Sequence, residues 1–394
     1  MKAKLSAGAL NTMLKTANKF IDKKSEISDI RGKIALCVRD GLFEIATLSC
    51  TDGTRFIQSV PMESEYTDDF ECVFEAEDGA WTVDAKCFAP IKGLAKKSDV
   101  IISADNDLMT VSADGLSFQI NAERGAYGAY GCLNYLCSDE KTFGDVVSEM
   151  EIDDADCASF KYVVPAMSDD ETRPDFMGAS IQGGKIVATD GHRLHVAPLS
   201  PVISGDFHAS ILNPVLVKAI ADGMKGTLRE FLITKENVAI CELRGYGFRL
   251  VAKSIAGRFP DFTKVFPRPD YVCEINAQAF LSVVKSLCAG WKAATLAIYG
   301  TGDLQCVARG KRASDPPRNM KFIGFNESSL TTKFSNLKDG VTKRIGLEPQ
   351  YIIDALADSE YVQFCTVDED SPVWFGEYDG MSFGRGAIVM PIQI

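Results

Sequence analysis

No window of the 394-residue sequence approaches eighteen uninterrupted apolar residues, which excludes a membrane-spanning helix. Histidine is scarce, with three in the chain, and no Cys-x-x-Cys pair occurs. The twelve cysteines stand singly, and the closest two, Cys132 and Cys137, are five apart. This lacks the ligand spacing of a structural zinc site, and it reads as free, mostly buried thiols in a reducing cytoplasm. We expect neither metal nor cofactor. The start, Met1-Lys2-Ala3-Lys4-Leu5-Ser6, turns polar too soon for a secretory leader. Positive charge is also short: 42 Lys and Arg against 54 Asp and Glu leave a net of -12. That average argues against a chain coated in nucleic acid and for a soluble, acidic protein.

What the chain has is enough apolar residues, 46%, to bury a core in each of two or three domains, and an internal repeat. One pattern, a short strand, a polar cap and an amphipathic helix, occurs three times. Its copies are Leu5 with Leu10, Met13 and Ala17; Ile152 with Cys157, Phe160 and Val164; and Ile275 with Phe280, Val283 and Leu287. Offsets of three and four put these residues on one helix face. Ser6, Asp153 and Asn276 stand where an N-cap accepts from first-turn amides. A second helical pattern follows Val83-Asp84 (Phe88, Ile91), Leu212-Asn213-Pro214 (Val217, Ile220) and Leu347-Glu348-Pro349 (Ile352, Ala355). Pro214 and Pro349 suit a first helical position. A third landmark is a strand with Phe at its centre after a glycine turn: Gly115 to Phe118, Gly245 to Phe248, Gly380 to Phe383.

The copies are separated by 147, 129 and 130 residues, then by 123, 135 and 135. The chain therefore reads as α+β, with three similar domains, each of two helices packed on antiparallel sheet. Strand-like runs such as 34–38 and 238–243 lie between the helices, and Asp-Gly turns at 40–41, 52–53, 78–79, 114–115 and 379–380 punctuate them. Connector-like stretches at 125–141 and 266–270 place the domains at 1–143, 144–268 and 269–394.

Helix charge departs from the average. The windows 6–24 (Lys15, Lys19, Lys23, Lys24 against Asp22) and 84–97 (Lys86, Lys92, Lys96, Lys97 against Asp84) each carry +3. Windows 154–165, 213–225 and 277–292 carry -1, +1 and +2, and window 348–358 carries -3. Together the helices hold +5 and the rest of the chain -17. Helices on a basic surface and sheets on an acidic one would hold a polyanion on one side only. Ordinary solvated helix lysines are the other reading, and the acidic sixth helix counts against a uniform basic face.

The most specific string is Ile186-Val187-Ala188-Thr189-Asp190-Gly191-His192-Arg193-Leu194. Asp190 and His192 at a tight turn invite a hydrolase reading, but no nucleophile, second carboxylate or metal-ligand partner stands at a usable spacing. His192 and His195 should face opposite sides of a strand. The string resembles the signature of the bacterial sliding clamp, the DNA polymerase III β subunit. Ala256-Gly257-Arg258-Phe259-Pro260-Asp261-Phe262 resembles that family's Gly-Arg-Phe-Pro-Asp segment, and Ile388-Val389-Met390-Pro391-Ile392-Gln393-Ile394 its closing Met-Pro strand. Motifs carry the resemblance through the second and third domains, and the repeat alone carries it to the first.

The resemblance implies a DNA clamp fold that dimerises head to tail into a six-domain ring around double-stranded DNA, without enzymatic activity, in the cytoplasm. Twelve helices of about 10 Å diameter would make a circle of roughly 120 Å and a bore just under about 30 Å, wide enough for a hydrated duplex. Such a ring holds DNA by topology, through long-range, non-specific contacts. Lys15, Lys19, Lys23, Lys86, Lys92, Arg173, Lys218, Lys225 and Lys285 would face the DNA. The resemblance also implies a pocket for short peptides of DNA polymerase and clamp loader. Carried over by motif, Phe176 (in place of a family leucine), Thr189, Gly191, His192, Arg193 and Leu194 would line it, with Pro260, Lys264, Val265, Ile388, Met390, Pro391, Ile392 and Ile394. Flexible Met and branched aliphatics suit an apolar linear peptide, although core packing explains each apolar member equally well and Gly191 serves a positive-φ turn.

The chain departs from the family pattern at Lys264 and Gln393, where arginine is frequent, in the linker around Tyr127, and in the basic run Arg309-Gly310-Lys311-Arg312 to Arg318 and Lys321, broken by Pro316-Pro317. That run reads as a solvated loop or as a DNA or partner contact. These differences mark a distant member and leave an alternative function: a clamp-like decoy that binds clamp partners without encircling DNA.

Overall fold

The computed structural model describes residues 2–21, 23, 32–39, 42–49, 54–61, 80–124, 143–205, 207, 211–233, 238–268, 271–288, 294–300, 304–310, 318–321, 343–368 and 370–392. Five α-helices are described: α1 (Ala7–Ala17), α2 (Asp154–Val163), α3 (Pro214–Ala221), α4 (Ala277–Cys288) and α5 (Pro349–Leu356). The three expected caps start α1, α2 and α4. Ser6 Oγ accepts from Ala9 N at 3.1 Å, Asp153 Oδ1 from Asp156 N at 2.8 Å, and Asn276 Oδ1 from Ala279 N at 2.8 Å. Each supplies an acceptor that the first turn otherwise lacks. At Asp153 the bond is reciprocal, since Asp156 Oδ2 accepts from Asp153 N. Leu10, Met13 and Ala17 are buried, as are Cys157, Phe160 and Phe280. Pro214 and Pro349 fill the first positions of α3 and α5.

Three expectations need correction. The 84–97 window is not an α-helix but a 3₁₀ helix, Ala85–Gly93, with Pro90 inside it. Pro90 has no amide to bond the Lys86 carbonyl, and its ring crowds that carbonyl. Phe88 and Ile91 stay buried because a three-residue spacing eclipses on a 3₁₀ helix. Val164, expected on the buried face of α2, instead opens the 3₁₀ turn Val164–Ala166 and is half-buried; Pro165 cannot continue the α ladder. Phe118 lies inside its strand, Leu116–Asn121, but Phe248 and Phe383 open theirs, Phe248–Lys253 and Phe383–Val389. Pairing there begins at Gly245↔Phe248 and Tyr378↔Phe383, so the residue after the turn is the first of the ladder. Asp114 (φ +44°) and Gly115 (φ +80°) make the expected two-residue turn between Ala113 and Leu116. The turns at 40–41, 52–53 and 78–79, the connector at 125–141, Lys24, Lys311 and Arg312 lie outside the described residues.

The chain divides into two compact units, each assembled from separated segments: Met1–Ile152, Val202–Phe207 and Met224–Ser254 in the first; Asp153–Pro201, His208–Gly223 and Ile255–Ile394 in the second. Among the described residues the first unit has two antiparallel sheets. One has four strands in the order Lys2–Ser6, Asp99–Asp105, Leu108–Ala113, Leu116–Asn121. The other has nine, running Val146–Ile152, Gly226–Ile233, Val238–Gly245, Phe248–Lys253, Arg55–Pro61, Leu42–Leu48, Lys33–Arg39, Ala80–Asp84, Glu123–Arg124. Its central seam pairs Leu250 with Phe56 and Arg249 with Ile57, joining chain segments far apart in sequence. Ala35, Ala46, Ile57, Phe143, Phe231, Ile240 and Val251 cluster on it. Glu242 is fully buried there and pairs with Arg249, whose guanidinium lies 5.4 Å from the Phe143 ring.

The second unit repeats the scheme. Its eight-stranded sheet runs Ile211–Leu212, Ala179–Gln182, Lys185–Thr189, Arg193–Pro198, Phe383–Val389, Val373–Tyr378, Tyr361–Thr366, Tyr271–Asn276. A four-stranded sheet follows the order Arg318–Lys321, Leu304–Gly310, Ala294–Gly300, Lys343–Leu347. Helices α2 and α3 pack together, as do α4 and α5. Phe280, Leu281, Val284, Ile352, Leu356, Phe364 and Phe375 form the core under α4 and α5. The seam Arg193↔Val389 and Leu194↔Ile388 joins the middle third of the sequence to its last strand.

Candidate functional site

The signature string ends one strand and begins the next, and its polar residues fold the turn between them. Asp190 Oδ1 accepts from His192 N at 2.9 Å and from Arg193 N at 3.0 Å, while Oδ2 accepts from Arg193 Nε at 3.0 Å. Thr189 Oγ1 donates to Arg193 O at 2.6 Å and accepts from Gly191 N at 3.1 Å. Gly191 has φ +89°, so the turn requires glycine; a Cβ there would stand 2.9 Å from the movable Arg173 Nη1 and 3.4 Å from Phe176. Asp190 is thus committed to the turn. The hydrolase reading loses its base, because both carboxylate oxygens already accept backbone or guanidinium donors.

The three motif segments converge on this turn within the second unit. Met390 N donates to His192 O at 2.9 Å, continuing the seam. The loop carrying Phe176 is closed by Asp170, which accepts from Thr172 N, from Thr172 Oγ1 and from Arg173 Nε. These bonds, the Thr172 hydroxyl's first, hold the Asp170 carboxyl below its usual range. Arg173 Cζ lies 5.2 Å from the Phe176 ring. The 256–262 segment approaches the same loop, where a Cβ on Gly257 (φ +144°) would meet Asp175 Oδ1 at 2.0 Å. Phe259 and Phe262 then pack with Leu194, Val196, Trp374 and Ile388.

Exposure sorts the expected lining residues. Thr189, Leu194 and Ile388 are buried beneath the site; Phe176, Arg193 and Pro391 are half-buried. Gly191, His192, Pro260 and Lys264 are exposed. Three apolar side chains face solvent: Val265 at 40%, Met390 at 38% and Ile392 at 36%. Lys264 pairs with Asp261 at 3.2 Å. Gln393 and Ile394 lie outside the described residues. The chemistry on offer is exposed apolar side chains, with Met390 bonded through its amide to the His192 carbonyl, which suits binding of an apolar chain segment.

Sequence reasoning missed the polar seam below. Arg193 also bonds Asp354 of α5 and the carbonyl of Pro165, and its Cζ lies 4.4 Å from the Tyr351 ring. Two residues along the strand, on the same face, His195 is fully buried with Nδ1 2.8 Å from Tyr162 O. Burial pushes its imidazole down to about 4, with Arg193 adding to the effect. His192 lies in the turn, exposed, and not on the strand as expected; His195 is on the strand and buried. Asp354 belongs to the acidic window of the sixth helix; its charge is spent on Arg193, and that of Asp358 lies 4.0 Å from Arg385.

Of the expected DNA-facing residues, Lys15, Lys86 and Lys92 line one groove of about 670 Å³ in the first unit, between α1 and the 3₁₀ helix, with Asn11, Thr12 and Lys96. Lys19 and Lys23 follow α1; Lys218 lies on α3, Lys225 just beyond it and Lys285 on α4, and Lys23, Lys218, Lys225 and Lys285 are exposed. Arg173 stands at the site loop, paired with Asp170 at 3.0 Å. In the basic run, 309–310 and 318–321 lie on strands.

The fold is that of the sliding clamps, matched over the whole chain. Solved clamps from Bartonella birtlesii, bound to griselimycin, from Pseudomonas aeruginosa and from Caulobacter crescentus superpose with TM-scores of 0.76, 0.75 and 0.75 at 17%, 19% and 16% identity, each covering 100% of both chains. By sequence the chain is similar to the bacterial β sliding clamp, as a divergent relative. It is 25% identical over 370 residues to that of Salmonella typhimurium and over 374 to that of Escherichia coli, covering 88% of this chain and 91% of each relative. No family model matches the chain.

Proposed function

We propose that this chain is a processivity clamp of DNA replication, built of three clamp domains (1–143, 144–268 and 269–394), which closes as a homodimeric ring on duplex DNA and tethers a polymerase. The observation that carries the reading is the convergence of three family-like segments around one polar turn, with Met390 exposed beside it, in a chain similar to β clamps along its length. The chain would act by binding, not by catalysis, in the cytoplasm. No helix among the described residues is long and apolar enough to cross a membrane. Lys15, Lys86 and Lys92, around one groove, are a surface for phosphates held loosely and without sequence preference. Peptides of polymerase and clamp loader would dock on Met390, Ile392, Val265 and Phe176, and we expect griselimycin to bind there too. Strands free on one side among those described, such as Leu116–Asn121 in one unit and Arg318–Lys321 in the other, are suited to head-to-tail closure.

The test is retention on DNA after loading. A clamp stays on closed circular DNA and leaves on linearisation, and it has a solution mass twice the 42.9 kDa of the chain. A strict monomer that binds griselimycin but is never retained on circles would refute encirclement and establish the decoy.

A further inference from the structure

The side chain of Arg193 is committed before any partner arrives. Nε donates to Asp190, Nη1 to Asp354 and Nη2 to the Pro165 carbonyl, the Tyr351 ring covers one face, and the side chain is only 11% exposed. Little of it is left to meet a ligand. What it does is hold three pieces of chain together: the signature turn, the end of the α2 segment, and α5. Asp190 transmits that hold. The carboxylate that takes Arg193 Nε also accepts from the amides of His192 and Arg193, and the carbonyl of His192 accepts from Met390 N. The exposed part of the site therefore sits where Arg193 is held. Asp354 is the outer anchor, and its other oxygen accepts from Gln350 Nε2 at 2.8 Å, which orients it.

We infer that Arg193 is a positioning residue and not a ligand contact, and that Asp354 on α5, outside the expected lining set, tunes affinity at the site by fixing it. The inference rests on the peptide-site reading. Its physical basis is preorganisation: a turn held in one geometry loses less freedom when a ligand lands on it. A planar guanidinium reaching several acceptors at fixed angles suits the task better than an ammonium.

The experiment uses the full-length chain with griselimycin as probe. Affinity is measured by calorimetry, and hydrogen exchange is followed at the amides of His192 and Arg193. Asp354→Ala should weaken griselimycin about tenfold and speed exchange at both amides. Asp354→Asn, which keeps an acceptor oxygen, should recover part of each. Ile352→Val, a core substitution on the same helix, separates positioning from general destabilisation and should move neither readout. Wild-type binding with unchanged affinity in Asp354→Ala would overturn the inference alone. A wild-type chain that fails to bind griselimycin would overturn the site reading and the inference with it. An equal loss in Ile352→Val would also overturn the inference.

Discussion

His195 offers a sharp test of the buried seam through pH. Its Nδ1 donates to the Tyr162 carbonyl at 2.8 Å, while Nε2 is buried without a hydrogen-bond partner among the described residues. A second proton would place a donor at Nε2 with no acceptor and a charge out of water. The charges that reach it are Arg193, which disfavours protonation, and Asp354 and Asp190, which favour it. Folded, the imidazole titrates at about 4; the ordinary value is 6.5. The unfolded chain thus binds the proton first, and stability falls as pH drops through the interval between the two values. Linkage puts the loss at about 1 kcal/mol between pH 7 and pH 5.5, growing to about 3 kcal/mol below pH 4. Urea unfolding of the wild type and of His195→Gln at pH 7, 5.5 and 4.5 isolates this part, because the carboxylates act alike in both. The wild-type loss relative to the variant should follow that curve, and the His195 ring should stay neutral by NMR at pH 5.5. Equal slopes in the two proteins, or a ring that titrates near 6.5, would refute the reasoning.

Other expected outcomes follow from the same geometry. Met390→Glu with Ile392→Glu should weaken griselimycin by at least about a hundredfold while shifting unfolding by no more than about 0.5 kcal/mol, since both side chains are over a third exposed; unchanged calorimetric affinity would remove these residues from the site. Replacing Lys15, Lys19, Lys86 and Lys92 by Glu should weaken DNA retention and lower the slope of log affinity on log salt by about 0.9 for each phosphate that is no longer neutralised; an unaltered slope would clear α1 and the 3₁₀ helix of DNA binding. Arg249→Met should cost the first unit about 3 kcal/mol in urea unfolding, because it leaves the fully buried Glu242 carboxylate with the longer 3.4 Å pairing to Arg244, and adding Glu242→Gln should restore part of the loss.

How far the sequence could be read depended on the range of the interactions involved. Ser6, Asp153 and Asn276 act within three residues of themselves, so their capping was legible, as were Pro214 and Pro349 at helix starts. Pro90 carried its own warning, yet the periodicity of Phe88 and Ile91 fits a 3₁₀ helix as well as an α-helix. Motif resemblance brought Gly191, His192 and Met390 to one place, which the strand seam then explains. The roles of Asp354, Tyr162 and Pro165 were out of reach. Each meets its partner across 28 to 161 residues of chain, and one sequence carries no trace of such pairings. The acidic window around α5 looked like an exception to a basic surface for the same reason: the partner of Asp354 lies in another third of the sequence.

The nine-stranded sheet also sets a timetable for synthesis. Arg55–Pro61 pairs with Phe248–Lys253, so the N-terminal strands wait with an open edge until almost two hundred further residues have left the ribosome. The second unit waits about as long, since Arg193–Pro198 pairs with Phe383–Val389 near the end of the chain. Neither large sheet can close as its own segment emerges, and both nascent edges stay open to foreign strands in the interval. Abundance of this chain in a cell should therefore track chaperone supply more steeply than its finished stability implies.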